Sequence, residues 1–193
     1  MRKILFVLCL GLLFGCKIGG DSESFGDSGD VGENRIHFDS LVYNYDEKVA
    51  FYQGVLFSGV GFTKYENGQL WIERNYSDGK EDGLERRWYK NSQLEVERNY
   101  SDGKEDGLWK KWYENGQLEE EINYSDGKED GLWKKWYENG QLMLEGNYKD
   151  GKDVGLYKEW YENGQLFVEI NFKEGEVISK KCWTEYGDEW ECP

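Results

Sequence analysis

Chemistry in this chain would have to come from carboxylates and aromatic rings. The 193 residues hold 1 histidine and 4 cysteines, with 39 acidic side chains against 24 basic ones. His37 has no second imidazole and no cysteine at zinc spacing, so it reads as a solvated side chain rather than a ligand or base. Asp78-Gly79-Lys80-Glu81-Asp82-Gly83 resembles a calcium loop and recurs from Asp102 and Asp126. Lys80 stands where a ligand oxygen belongs, however, and Tyr89 stands where the closing carboxylate would be. Turn chemistry accounts for the motif better. Glu95, Glu97, Glu119 and Glu121 have the residue type of an acid–base pair, but periodic basic partners for Glu97 and Glu121 give them a structural role. Trp88, Trp112, Trp136 and Trp160 form a ladder that either stacks a sugar or peptide or stabilises a sheet. No catalytic constellation assembles, and no metal, cofactor or small-molecule substrate is expected.

The elements that position these residues follow a strict beat. Tyr65, Tyr89, Tyr113, Tyr137 and Tyr161 are 24 apart, as are Leu70, Leu94, Leu118, Leu142 and Leu166. A fixed period of this size marks a repeat array. Within a unit, Leu108–Glu114 and Gln117–Tyr124 are alternating runs separated by Asn115-Gly116. Asn-Gly between such runs signals a hairpin, with a two-residue type I′ turn as the expected geometry. The following Asp126-Gly127 is a second turn of similar chemistry. Asn91-Ser92 breaks the Asn-Gly rule, so that hairpin should be strained or use another turn. Few alanines, 25 glycines and many aromatic residues also speak for short strands and against helices.

A two-residue turn at Asn115-Gly116 fixes a register. Tyr113 then faces Leu118, Lys111 faces Glu120 and Trp109 faces Ile122 on one side. On the other, Trp112 faces Glu119, Lys110 faces Glu121 and Leu108 faces Asn123. Arg86–Glu97, Lys134–Glu145 and Lys158–Glu169 repeat the Lys110–Glu121 pairing, as cross-strand selection would favour. Ile72, Val96, Leu144, Val168 and Ile170 join the Tyr/Leu side, making it the more apolar, concave and better buried face.

The ends depart from the beat. Residues 1–15 read as a signal peptide, with Arg2 and Lys3 before an apolar run at Ile4–Phe14 that is too short for a final membrane span. Leu13-Phe14-Gly15-Cys16 resembles a bacterial lipobox. That resemblance implies cleavage before Cys16 and its lipidation, giving a stable anchor in the cell envelope. Lys17 in place of aspartate implies the outer membrane. Residues 16–35 continue as a flexible acidic tether. Residues 36–175 hold the array, with Ile36–Phe62 as a divergent first repeat. In residues 176–193, Cys182 and Cys192 flank a hairpin centred on Tyr186-Gly187-Asp188. Outside the cytosol they should form a disulfide that protects the last sheet edge.

The net charge of −15 leaves no basic footprint for nucleic acid. It could instead steer the chain toward a basic protein. Tyr-Glu-Asn-Gly-Gln-Leu followed by Asn-Tyr-x-Asp-Gly-Lys-x-x-Gly-Leu resembles the bacterial variant of the MORN repeat from Tyr52 to about Gly175. The resemblance implies an all-β fold, a single-layer twisted antiparallel sheet of tandem 24-residue β-hairpin repeats. It further implies a non-enzymatic protein-binding or scaffolding surface. An antitoxin or immunity-type protein that neutralises a basic toxin domain is the alternative.

Overall fold

The computed structural model describes residues 34–192. Nearly all of them are strand or turn, in a fifteen-stranded sheet with a separate three-stranded sheet at its start. Sequential strands pair antiparallel through the array, so each hairpin hydrogen-bonds the next. The exception is Arg35–His37, which lies parallel to Gly59–Lys64. This strand overlaps the expected tether, and Val60 N–H donates to Asn34 O at 2.9 Å.

The divergent first repeat folds differently from an in-line unit. Leu41–Asn44, Val49–Tyr52 and Val55–Leu56 make the small sheet. Ala50 and Phe57 from this region are buried with Tyr76 of the main sheet, and Phe38, Leu41 and Tyr43 pack around them. The array is thus covered by a second layer at its N-terminal end. A terminal repeat has no preceding neighbour, and here the chain folds back to supply one.

The two kinds of turn are distributed otherwise than the sequence suggests. Type I′ geometry sits at the Asp-Gly links, where Asp126 has φ 52° and Gly127 φ 80°. Ser125 and Lys128 pair directly across it. The Asn-Gly loops are a residue longer. Gly116 N–H donates to Tyr113 O at 2.9 Å, Tyr113 N–H donates to Gln117 O at 2.9 Å, and the positive φ falls on Gly116 at 85° and not on Asn115. This is a type I turn closed by a left-handed residue, the three-residue hairpin loop. It adds a bulge, so Lys111↔Glu120, Lys110↔Glu121, Trp109↔Ile122 and Leu108↔Asn123 pair as expected, whereas Trp112 pairs with Leu118. The expected Tyr113–Leu118 and Trp112–Glu119 pairs do not form.

Ser92 shows how firmly the array imposes this loop. It adopts φ 68° and keeps the same bonds, with Ser92 N–H to Tyr89 O at 2.9 Å. The strain is accepted and no other turn is used. At the C-terminal end one residue is lost: Thr184 and Gly187 close the last loop as Tyr161 and Gly164 close the one before. Tyr186 therefore sits in the asparagine slot of the loop.

Candidate binding surface

Two hydrogen-bonded seams run along the ends of the hairpins. On the Asn-Gly side, the hydroxyls of Tyr65, Tyr89, Tyr113 and Tyr137 donate to the carbonyls of Trp88, Trp112, Trp136 and Trp160, each at 2.7 Å. Tyr161 does the same to Trp183 at 3.0 Å. From Asn91 onward, the loop asparagine serves both its own loop and the next. Asn91 Oδ1 accepts from Gln93 N–H at 2.9 Å, and its Nδ2 donates to Glu114 O at 2.9 Å. On the Asp-Gly side, Gly127 N–H donates to Glu105 O at 2.8 Å and Lys104 is ion-paired with Asp126. The KEDG motif is occupied by this joining role, and among the described residues no cluster of three His, Cys, Asp or Glu forms that could hold a metal.

Most buried side chains of the array lie on the face the sequence marks as apolar, Val60 being on the other. Ile72, Val96, Leu144 and Val168 form one row, with Ile122 and Tyr76 beside it. In the early units this face also carries an ionic cluster that the sequence reading missed. Glu85 is fully buried and takes bonds from three arginines. Arg87 Nε donates at 2.9 Å, Arg98 Nε at 3.0 Å, and Arg74 Nε to the other carboxylate oxygen. Burial alone would raise the Glu85 carboxyl, but Arg74, Arg98 and Arg87 together outweigh it and hold it below the usual carboxylate range. The signal lay in a break of pattern: Glu85 stands where later units have Trp109, Trp133 and Tyr157, and Arg74 and Arg98 stand where they have Ile122, Gly146 and Ile170.

In the later units the same face is aromatic. Trp133 lies 5.5 Å from Tyr148 and 6.2 Å from Tyr157, and Tyr157 meets Phe172 edge-on at 6.1 Å. With Asp153 and Glu159 they line a groove of about 400 Å³. Tyr157 donates to Glu159; burial first, and that carboxylate next, push the Tyr157 hydroxyl well up.

The other expected residues fall as follows. Trp88, Trp112, Trp136 and Trp160 recur in register at strand ends, half-buried, with no ring contact between them among the described residues. The opposed basic–acidic pairs close at 2.7 Å for Arg86–Glu97 and at 3.3 Å for Lys134–Glu145 and Lys158–Glu169. Lys110 and Glu121 are opposite each other without an ion pair between them among the described residues. His37 is more than a solvated side chain: Nδ1 accepts from Asp39 N–H at 3.3 Å, and Nε2 is 3.2 Å from Thr63 Oγ1. Cys182 and Cys192 are joined in a disulfide with Cα atoms 5.3 Å apart. The short strand Glu189–Trp190 covers only Cys182 and Trp183, leaving Val177 and Ile178 exposed on the sheet's last strand. The cap thus shields one end of that edge rather than its length. The expected signal peptide, Cys16 and most of the expected tether lie outside the described residues.

Residues 58–78, 81–102, 105–126, 129–150 and 153–174 match the MORN repeat variant family. Each matched segment ends at the first residue of a two-residue turn. No curated protein matches the chain. Repeats of this kind commonly bind proteins or membranes, which is compatible with a scaffolding role. The matched segments cover more than half of the chain, and the protein belongs to the MORN repeat variant family.

Proposed function

We propose that this is a lipid-anchored envelope protein whose repeat sheet is a docking surface for another protein. The observation that carries the reading is the sheet itself. Two seams join unit to unit, so the fold presents a long face in fixed register, open beyond its first unit. The Leu13-Phe14-Gly15-Cys16 motif supplies the anchor, and Lys17 favours the outer membrane. The partner binds by face or edge contacts. The test is a pull-down from cross-linked envelope with wild type and Cys16→Ala, alongside metabolic palmitate labelling. Envelope proteins captured by wild type alone, with label lost in Cys16→Ala, support a tethered scaffold. An unlabelled wild type removes the anchor.

The net charge of −15 favours a second reading, neutralisation of a basic toxin domain. One basic protein captured equally by both forms, and released steeply by salt, would select it.

A further inference from the structure

The fold-back at the start of the chain builds a cleft between two layers. One wall is Leu41–Asn44 with the turn that follows it, and the floor is Leu70–Ser77 with the start of Lys80–Trp88. Period-two alternation puts Leu41 and Tyr43 on one side of the first strand, and Arg74 and Tyr76 on one side of the second. Phe38 and Ala50 close the back. The space is about 640 Å³, within the size range of small-ligand sites.

Ring faces and polar groups meet in it. Tyr45 is 82% exposed at the mouth, and its ring meets that of Tyr43 near-perpendicular at 5.0 Å. The Tyr43 hydroxyl has no hydrogen-bond partner among the described residues. No unpartnered polar side-chain atom among them is buried, so solvent reaches this hydroxyl. Burial first, and the Glu81 carboxylate next, raise it, which places it in the field of Glu81. Glu81 is ion-paired with Arg74 on the floor. Asn44 Oδ1 accepts from Asp46 N–H at 3.0 Å and from Glu47 N–H at 3.2 Å, which holds the turn that carries Tyr45 and Lys48.

The charges of the floor cancel. Arg74, Arg87 and Arg98 are linked by ion pairs to Glu81, Glu85 and Glu105, three of each sign. At the rim, Lys48 follows Asp46 and Glu47. An ion gains little from a site whose charges are already compensated. The cleft offers instead a ring face, a hydroxyl that both donates and accepts, a guanidinium that donates and a carboxylate that accepts. A sugar uses that set. Its C–H face packs on an aromatic ring, while its hydroxyls, each a donor and an acceptor, need partners of both kinds.

We propose that this cleft binds a neutral sugar of one or two pyranose rings, packed on Tyr45 and hydrogen-bonded to Tyr43, Arg74 and Glu81. The site stands apart from the protein-docking reading, and neither depends on the other.

The experiment titrates the mature chain with cellobiose, maltose and N,N′-diacetylchitobiose, followed by calorimetry and by the methyl resonances of Leu41 and Ala50, which line the cleft. At least one sugar is expected to bind with millimolar affinity and to shift both resonances. Tyr45→Ala removes the ring at an exposed position, and Glu81→Gln removes the carboxylate; each should weaken binding at least tenfold while keeping a cooperative melt. Tyr186→Ala removes an equally exposed ring at the far end and should leave binding as it is. If Glu81→Gln fails to fold, Tyr45→Ala still decides. No shift by any of the three sugars at tens of millimolar overturns the proposal, as does unchanged affinity in folded Tyr45→Ala. Equal shifts with glycerol, which has hydroxyls but no ring, overturn the packing on Tyr45. Inorganic phosphate or the peptide acetyl-(Gly-Ser)3-amide shifting these methyls where the sugars do not makes the cleft an anion or peptide site and overturns the choice of a sugar.

Discussion

At the scale of single residues, the array tolerates substitutions that strain it and records them. Ser92 holds a left-handed backbone in a loop where the other units have glycine. Such a conformation costs a side-chain-bearing residue about 1–2 kcal/mol, against about 0.5–1 kcal/mol for the freedom that glycine loses on folding. Ser92→Gly is therefore expected to stabilise the protein by about 0.5–1 kcal/mol, read as a small rise in Tm. Glu85 poses the opposite case. Glu85→Gln leaves three arginines around a neutral amide and should cost about 3 kcal/mol, as breaking one side of a buried ion pair does. Replacing the group together, Glu85→Trp with Arg74→Ile and Arg98→Ile, restores the pattern of later units and should be neutral or stabilising. Chemical denaturation of the two variants checks both outcomes. The Glu85 carboxyl is held below its ordinary value of 4.5, so its contribution is in place above that pH and is lost as pH falls through the folded value. Little of this was readable from the sequence, because a periodic pattern trains attention on what repeats, and Glu85, Arg74 and Arg98 are what does not.

At the scale of the elements, each hairpin is closed by its own turns and joined to its neighbour by tyrosine and asparagine. Tyr113→Phe removes one donor to Trp136 O and should cost about 1 kcal/mol with the hairpin intact. Equilibrium unfolding of this variant against wild type checks it. The hydroxyls of Tyr89, Tyr113, Tyr124, Tyr137 and Tyr148 are all raised, burial being the largest cause, with Tyr124 pushed up to about 12. Raised values mean the folded state holds these protons more tightly. Stability is thus fully present below pH 10, their ordinary value, and falls as pH rises through the folded values. A pH series of melts should show Tm dropping in step with tyrosine ionisation. Strand period, hairpins and most of the register were readable because alternation and turn residues are local signals. The loop type was not. Asn-Gly is shared by both turn classes, so the dipeptide alone does not decide between them.

At the scale of the whole molecule, stability should be a sum over units and their junctions. Deleting 24 residues, 105–128, joins equivalent turns and should leave a folded chain with a lower Tm. Reduction of Cys182–Cys192 should lower Tm without unfolding the earlier units. Circular dichroism of both species checks that strand content survives. The single sheet was plain from the 24-residue beat, but the fold-back of Leu41–Leu56 was not, since the divergence of an end repeat does not say where it goes. The strands of this sheet run across the line that joins its two ends. Tension applied between the two ends of the array would therefore open backbone hydrogen bonds one after another, as a zip does, rather than shear them all together. Each 24-residue unit released gives about 80 Å of chain, for about 10 Å of folded length lost. Such an array yields in equal steps under a modest force, and the load it passes between its two ends is limited to that force.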